Sequence, residues 1–326
     1  MLQEINSMKL QTQILIEKQS NNQIDYNSNV LLLGSCFSEN IGEKLNYFKF
    51  QNSQNPFGIL FHSKAIETLF TSAIDKKEYS EDDVFFQNEQ WHCFDAHSRL
   101  SNTSKEDLLA DLNLAIKSIN KQISKSTHII ITLGTAWVYN HIETNKIVAN
   151  CHKVPQKQFK KELMPVDAVF ESLKNLLELI KSVNTDVSII FTVSPVRHIK
   201  DGFVENTQSK AHLISAIHKL LSSQMQFINL SYFPSYEIMM DELRDYRFYN
   251  EDMLHPNSMA IHYIWEKFQE VWISKEASKT MRDVDTIQKG LQHKPFNPNS
   301  EAHTKFLQSL ESKKEFLQRE FPFIEF

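Results

Sequence analysis

Two short segments of the sequence combine residue types that could perform nucleophilic catalysis. In the first, Ser35 follows Gly34 directly after an apolar run, NVLLL, at 29–33. A serine on a sharp strand-to-helix turn is exposed to a ligand, and the N-terminus of the following helix stabilises nearby negative charge. In the second segment, NEDMLHPN, Asp252 and His255 lie three residues apart. An imidazole can take the proton of a serine, and a carboxylate on its other nitrogen fixes the tautomer.

Each segment also has a simpler interpretation. Ser35 could be a small residue that serves a tight turn, and Asp252 could cap a helix while His255 lies on the surface. The catalytic hypothesis, with Ser35 as nucleophile and Asp252 and His255 as its partners, therefore requires that the two segments meet at one edge of a sheet.

The elements that would position these residues follow from the hydrophobic pattern. Short apolar runs, each typical of a strand buried on both faces, occur at 29–33, 128–134, 187–195 and 225–230. Helical spacing occurs over Ser38 to Tyr47, with Ser38 as N-cap, and at roughly 104–121, 155–183 and 207–224. Strands that alternate with helices predict a parallel sheet with helices on both faces.

Loops that follow parallel strands emerge at the carboxyl edge of the sheet, where ligands bind. Only six glycines occur in the chain, and four of them fall at or shortly after predicted strands: Gly34, Gly58, Gly134 and Gly202. We expect these loops to converge on one crevice.

The remaining pattern adds smaller elements. A weaker strand is predicted near Phe48 to Gln51, and a β-hairpin over 137–150. A helix follows Pro256, which is placed near its first position. We predict a catalytic domain over 1–278 and a helical extension over 279–326, broken at 293–300, whose aromatic end FPFIEF packs on the body.

The string Gly34-Ser35-Cys36-Phe37 resembles the signature of the GSCFA-domain family, which belongs among the SGNH/GDSL hydrolase-like folds. Further segments resemble blocks of that family between about 29 and 275: NPFGILF (55–61), GTAWVY (134–139), NCHKVP (150–155), TVSPVRHIKDG (192–202), YFPSYEIMMDELRDYRFY (232–249) and DMLHP (252–256). The resemblance implies a three-layer α/β/α sandwich with a flavodoxin-like parallel sheet. It also implies that Ser35 is the nucleophile and that Asp252 and His255 complete the triad.

The resemblance further implies an oxyanion hole, with one departure from the family pattern. The backbone N–H groups of Ser35 and Gly58 would supply two donors, and an asparagine side chain after the third strand would supply another. The corresponding loop, GTAW, has no asparagine. Asn150, brought back by the hairpin, and Thr135 are the two candidates to replace it, and His152 would line the pocket.

Further residues could bind substrate at the same edge. Arg197 and His198 follow the apolar run at 187–195, where a guanidinium could hold a carboxylate, a phosphate or a sugar hydroxyl. An ion pair inside the protein is the alternative for Arg197. Trp137 and Tyr139 could stack on a sugar face or belong to the core.

Other chemistries fit the sequence less well. Cys36 adjoins Ser35 and could be a nucleophile, although a core-facing cysteine behaves as a small apolar residue. His92, Cys93 and His97 lie close together, but their spacing does not match the usual zinc patterns, so no metal is expected. The first turn lacks both GxGxxG and GxxxxGK[ST], and no cofactor is predicted.

Composition bounds the partners and the compartment. The net charge of −5 and pI near 6.2 disfavour nucleic-acid binding, and neither a signal peptide nor a membrane span is apparent. The three cysteines are few and scattered, which favours reduced thiols in a cytoplasm. We predict a serine esterase that removes an O-acyl group, such as acetyl, from a carbohydrate or related metabolite. An O-acyltransferase and a non-catalytic binding module remain alternatives, and the C-terminal tail could mediate a homodimer.

Overall fold

A computed structural model describes residues 12–223 and 229–326, in which strands and helices alternate through the central sheet and three helices close the chain. In chain order the elements are β1 (Asn29–Gly34), α1 (Cys36–Tyr47), β2 (Gln51–Gln54), α2 (Ser63–Ile74), β3 (Phe85–Gln87), β4 (Gln90–His92), α3 (Lys105–Lys125), β5 (His128–Leu133), β6 (Trp137–His141), β7 (Lys146–Val148), β8 (Phe159–Leu163), α4 (Val166–Val183), β9 (Ser188–Val193), α5 (Phe203–Leu221), β10 (Leu230–Phe233), α6 (Ser235–Glu237), α7 (Ser258–Trp272), α8 (Lys275–Gln292) and α9 (Glu301–Glu320).

The central sheet is parallel, with the strand order β10-β9-β5-β1-β2. Renumbered among its own five strands, this is the flavodoxin-like order 2-1-3-4-5. Along β1, Leu31 and Leu33 pack in one core with α2 to α5, whereas Val30 and Leu32 pack in the other with α1, α7 and α8. Because both faces are covered, the strands read as continuous apolar runs. The predicted three-layer α/β/α fold is confirmed.

The hairpin after β5 is also confirmed, and it gains a third strand. β6 pairs antiparallel with β7 and, on its other side, with β8. The sequence pattern predicts a helix from residue 155 onward, and this is wrong at its start: β8 occupies Phe159–Leu163, and α4 begins only at Val166.

Several element boundaries differ from the predictions. Ser35, not Ser38, is the N-cap of α1, and Asn257 caps α7, which begins two residues after Pro256. The second strand begins at Gln51 instead of Phe48. The strand predicted at 225–230 falls largely on residues 224–228, outside the described part of the chain, and β10 begins at Leu230.

The C-terminal helices join the core on the α1 face of the sheet. The predicted boundary at residue 279 falls inside α8, which buries Met281, Val284 and Ile287 in that core. At the chain end Ile324 is buried, and the Phe321 ring lies 4.9 Å from that of Tyr26. Among the described helices, none has the length and apolar character needed to cross a membrane.

Candidate active site

The turn that carries Ser35 is built on a glycine. Gly34 has a φ of +124°, and a Cβ added to it would lie 2.0 Å from the carbonyl oxygen of Thr132 on β5, so only glycine lets the end of β1 pass that close. Ser35 follows as N-cap of α1, and its Oγ accepts a hydrogen bond from the Phe37 N–H at 3.3 Å. The Ser35 residue is fully buried, with 0% exposure.

Asp252 and His255 form a hydrogen-bonded pair in the loop before α7. The Asp252 Oδ2 to His255 Nδ1 distance is 2.6 Å. The other carboxylate oxygen, Oδ1, accepts the backbone N–H groups of Leu254 at 2.8 Å and His255 at 3.0 Å. The backbone bonds, first that of His255, lower the pKa of Asp252 to about 2. The aspartate is therefore ionised and holds Nδ1 of the imidazole.

The Asp252–His255 loop is anchored to the loop that follows β9. The Arg197 N–H donates to the Leu254 carbonyl at 3.2 Å, and the Arg197 Nη2 donates to the Met253 carbonyl. Because Arg197 lies four residues after β9, this contact places the pair at the carboxyl edge of the sheet. Ser35 follows β1 at the same edge.

Ser35 and His255 are brought to one edge of the sheet without a hydrogen bond between their side chains in the described residues. In the described part of the chain, no hydrogen bond joins the Ser35 hydroxyl to His255, whose side chain is 46% exposed. Catalytic hydrogen bonds often tighten only when substrate is bound. The structure thus brings the three residues to one sheet edge without closing the Ser–His hydrogen bond.

His198 occupies the region between the β5 and β9 ends. A Cβ on Gly134 would lie 3.2 Å from His198 Nε2, and the His198 ring packs edge-on to that of Phe61. Burial, followed by the positive charges of nearby Lys210 and His255, lowers the pKa of His198 to about 3. His198 is therefore neutral and close to His255.

A buried lysine that sequence reasoning missed joins two of these strand ends. Lys210 on α5 is 1% exposed, and its Nζ donates to the carbonyls of Gly134 at 2.7 Å and Ser194 at 2.8 Å. Burial lowers the pKa of Lys210 to about 7, while nearby Cys36 opposes that shift. In sequence, Lys210 is one polar residue of an amphipathic helix, and nothing in its local pattern marks it as buried.

The lysine should leave a signature in the pH dependence of stability. Its pKa is about 7 in the folded protein against 10.5 as the ordinary value, so between these pH values the unfolded chain binds more protons. The unfolding free energy of the wild type should then rise with pH relative to Lys210→Met, by up to about 1.4 kcal/mol per pH unit.

Urea unfolding of both proteins from pH 7 to 10 measures this difference. Titrating groups that are distant from Lys210 contribute equally to both proteins and cancel in the difference. His198 is close to Lys210, but it titrates well below this range. The neighbouring groups that could alter the slope are Cys36 and Tyr236, whose ring lies 5.7 Å from Nζ. Parallel stability curves would show that Lys210 is not titrating in this window.

Three of the four predicted oxyanion donors are engaged inside the protein. The Ser35 N–H donates to the Thr132 carbonyl at 2.9 Å, and the Gly58 N–H to the Asn55 carbonyl at 2.7 Å. The Thr135 hydroxyl lies 3.0 Å from Ser209 Oγ and accepts the Trp137 N–H at 3.0 Å.

Asn150 is the fourth candidate, and among the described residues its side chain makes a hydrogen bond only through the oxygen. Its Oδ1 accepts the His152 N–H at 2.8 Å and closes the turn after β7. Asn55, which sequence reasoning did not single out, supports the turn that carries Ser35 because its Oδ1 accepts the Gly34 N–H at 2.9 Å. The only sequence signal for Asn55 was its place in the NPFG segment.

The predicted pocket residues His152 and Trp137 have partners inside the protein. His152 is buried, and its Nε2 lies 2.7 Å from the Cys93 carbonyl; burial lowers its pKa to about 4. The indole N–H of Trp137 donates to the Glu205 carbonyl at 3.3 Å, and Lys161 Nζ lies 4.9 Å above the Trp137 ring. The lysine covers one face of the indole, and that face is closed to stacking on a sugar.

The cysteines and the possible metal ligands can be placed as well. Burial raises the pKa of the Cys36 thiol, and neighbouring Glu39 raises it further. His92 bonds to Ser101 Oγ at 2.6 Å and to the Gln87 carbonyl at 2.9 Å. Over 12–223 and 229–326, no group of three or more His, Cys, Asp or Glu residues could hold a metal ion.

Comparison with known proteins gives two family matches. Residues 29–268 match the model of the GSCFA family, and residues 284–326 match that of the GSCFA domain protein, C-terminal domain. No curated protein matches the sequence.

Two solved structures are similar to the chain at low identity. The first is an acetyl esterase mutant with acetate ion, at 10% identity and a TM-score of 0.35, covering 79% of this chain and 99% of that chain. The second is a carbohydrate esterase family 3 protein from Talaromyces cellulolyticus, at 8% identity and a TM-score of 0.35, covering 79% of this chain and 98% of that chain.

Proposed function

Since the chain belongs to the GSCFA family, with residues 29–268 matching its model, we propose that it is a serine esterase. It would remove an acyl group, acetyl in the simplest case, from a hydroxyl of a carbohydrate or related metabolite. The observation that carries the proposal is the 2.6 Å Asp252–His255 bond at the sheet edge where Ser35 caps α1. A serine, an imidazole and an ionised carboxylate that orients it are the parts of a catalytic triad.

The reaction assigned to these residues proceeds in two steps. The Ser35 Oγ attacks the ester carbonyl while His255 Nε2 takes its proton, and the imidazolium returns that proton to the departing alcohol. Water then attacks the acyl-serine with His255 again as base, and the imidazolium returns the proton to the Ser35 Oγ as the acyl–oxygen bond breaks and the acid is released. Because Ser35 is buried and His255 half-exposed, substrate binding must bring the hydroxyl and the imidazole together.

Serine is favoured over the adjacent cysteine as nucleophile. The reactive form of a cysteine is its thiolate, and burial together with Glu39 raises the pKa of Cys36. Cys36 contributes differently, as the first residue of α1, because a helix leaves the N–H of that position without an intrahelical acceptor. We assign this N–H to the oxyanion hole, with the Asn150 amide as the second donor.

Asn150→Ala should lower kcat by roughly 10²- to 10³-fold, the effect of losing one oxyanion donor. The matched control is Asn150→Asp, which keeps the oxygen that accepts the His152 N–H but has no amide donor. If donation matters, the aspartate variant should be at least as impaired as the alanine variant. Recovery of activity in Asn150→Asp would mean that Asn150 only closes the turn.

Thr135→Val addresses the rival candidate. The Thr135 hydroxyl contacts Ser209 Oγ and the Trp137 N–H, so its removal should cost about 1 to 3 kcal/mol of stability by leaving buried partners unsatisfied. Urea unfolding and steady-state kinetics separate the two effects. If kcat falls in folded Thr135→Val but not in Asn150→Ala, the oxyanion donor is Thr135.

A fluorophosphonate probe tests the proposed function directly. The probe should form one covalent adduct on wild-type protein, located at Ser35 by peptide mass spectrometry, and Ser35→Ala should not react. Cys36→Ala should react like the wild type, because the thiol is not the nucleophile. Labelling that survives in Ser35→Ala and disappears in Cys36→Ala would contradict the assignment.

A further inference from the structure

A cavity lies beside the loop that carries the candidate catalytic histidine. Its volume is about 430 Å³, and its lining includes Arg197, Tyr236, Arg244, Tyr246 and Tyr249. That volume falls in the range of small-molecule sites, which runs from about 300 to 1,000 Å³. The cavity is therefore large enough for one small ring or a similar group.

The cavity wall also holds the His255 loop in place. Arg197 donates from its backbone N–H to the Leu254 carbonyl and from its guanidinium to the Met253 carbonyl. Asn250, next to Tyr249 in the chain, donates its N–H to the His255 carbonyl at 2.8 Å. A ligand in this cavity would therefore lie close to the loop that would deliver the general base.

The charges that line the cavity are paired, with one exception. Arg244 pairs with Asp241 at 3.9 Å, and Asp245 pairs with Arg247 at 2.9 Å. For Arg197, no carboxylate lies within ion-pair distance over 12–223 and 229–326. The cavity thus has one cationic group whose charge is not matched.

The orientation of Arg197 is fixed while its buried Nε donor is left unused. The centre of the guanidinium lies 4.4 Å from the Tyr249 ring and 5.5 Å from the Tyr246 ring, so it packs against two adjacent aromatic rings. The Arg197 Nε is buried, and it has no hydrogen-bond partner among the described residues. A buried donor without an acceptor costs about 1 to 3 kcal/mol, which an anionic ligand would recover.

We infer that this cavity binds a carboxylate carried on the alcohol part of the ester, with Arg197 as its partner. Only one part of this inference, that the carboxylate belongs to an ester substrate, rests on the proposed esterase function. A guanidinium fork matches the planar geometry of a carboxylate. A phosphate dianion fits less well, because Arg197 is the one unmatched cation in the described lining and would balance only one of its two charges.

The test compares two matched esters, para-acetoxybenzoate and para-acetoxybenzamide, which differ in charge but not in shape. Wild-type kcat/KM, corrected for spontaneous hydrolysis, should favour the carboxylate by about 10- to 100-fold, the value of a hydrogen bond to a charged group. Arg197→Gln should bring that ratio near 1, and Arg197→Lys should give an intermediate value. Because Arg197 also anchors the His255 loop, the ratio is the readout and not the rate.

Arg244→Gln is the matched control, because Arg244 lines the same cavity but is paired with Asp241 and has an 81% exposed side chain. It should keep the wild-type ratio. Equal rates on the two esters, or a preference that survives Arg197→Gln, would overturn the inference.

Binding in the absence of turnover separates this inference from the proposed function. Calorimetric titration of Ser35→Ala with para-hydroxybenzoate and para-hydroxybenzamide should show tighter binding of the carboxylate, and Arg197→Gln should remove the difference. If neither ester is hydrolysed by the wild type but this Arg197-dependent binding persists, the esterase proposal fails and the anion site stands. If the esters are hydrolysed without any charge preference, the reverse holds.

Discussion

Replacing Ser35 by alanine should lower kcat on the best ester substrate by about 10⁶-fold, because no acyl-serine can then form. The residual rate would come from substrate binding and oxyanion stabilisation alone. Steady-state kinetics on wild type and variant measure the ratio, and mass spectrometry during turnover should detect the acyl adduct only in the wild type.

The alanine variant also loses a helix cap, and this effect must be separated from catalysis. The Ser35 Oγ accepts the Phe37 N–H, and loss of such a cap typically costs about 1 kcal/mol. Ser38→Ala is the matched control, since Ser38 is equally buried at the start of α1 and its Oγ donates to the Leu33 carbonyl. Ser38→Ala should lose stability and keep its turnover. Full turnover by folded Ser35→Ala would refute the catalytic proposal altogether.

The parallel sheet was predictable because each of its central strands can be recognised from its own residues. β1, β5 and β9 are buried on both faces, and each therefore reads as a short apolar run between helical segments. Their carboxyl ends share one edge by topology, which is why Ser35 could be placed there from sequence. The Asp252–His255 bond agrees with the three-residue spacing of the pair in the sequence.

The features that were not predictable depend on contacts between distant segments. β8 was not predicted because its residues are mostly polar and partly exposed and show no apolar run. They form a strand because they pair with β6. The donation of the Gly58 N–H to Asn55 depends on a turn geometry that the pattern does not encode. Lys210 is a similar case, since its acceptors, the carbonyls of Gly134 and Ser194, lie 76 and 16 residues away.

Asp252→Asn should lower kcat by about 10⁴-fold while the protein stays folded. The reason lies in which carboxylate oxygen binds which group. Oδ1 accepts two backbone N–H groups, from Leu254 and His255, so the amide oxygen of an asparagine must occupy that side. Its NH₂ group then faces His255 Nδ1 and donates to it. The imidazole is held with its proton on Nε2, where it cannot accept the proton of Ser35.

Glu251→Gln is the matched control, because it removes a charge from the adjacent, exposed position without touching the imidazole. It should retain wild-type turnover.

The pKa of Asp252 is about 2, so acid loss of activity above pH 4 in the wild type cannot arise from protonation of this carboxylate. Fluorophosphonate labelling of Ser35 should slow in Asp252→Asn in parallel with kcat, since both reactions need the same proton transfer. If kcat and the labelling rate of Asp252→Asn both stay within tenfold of the wild type, Asp252 only shapes the loop. His255 would then act without a carboxylate partner.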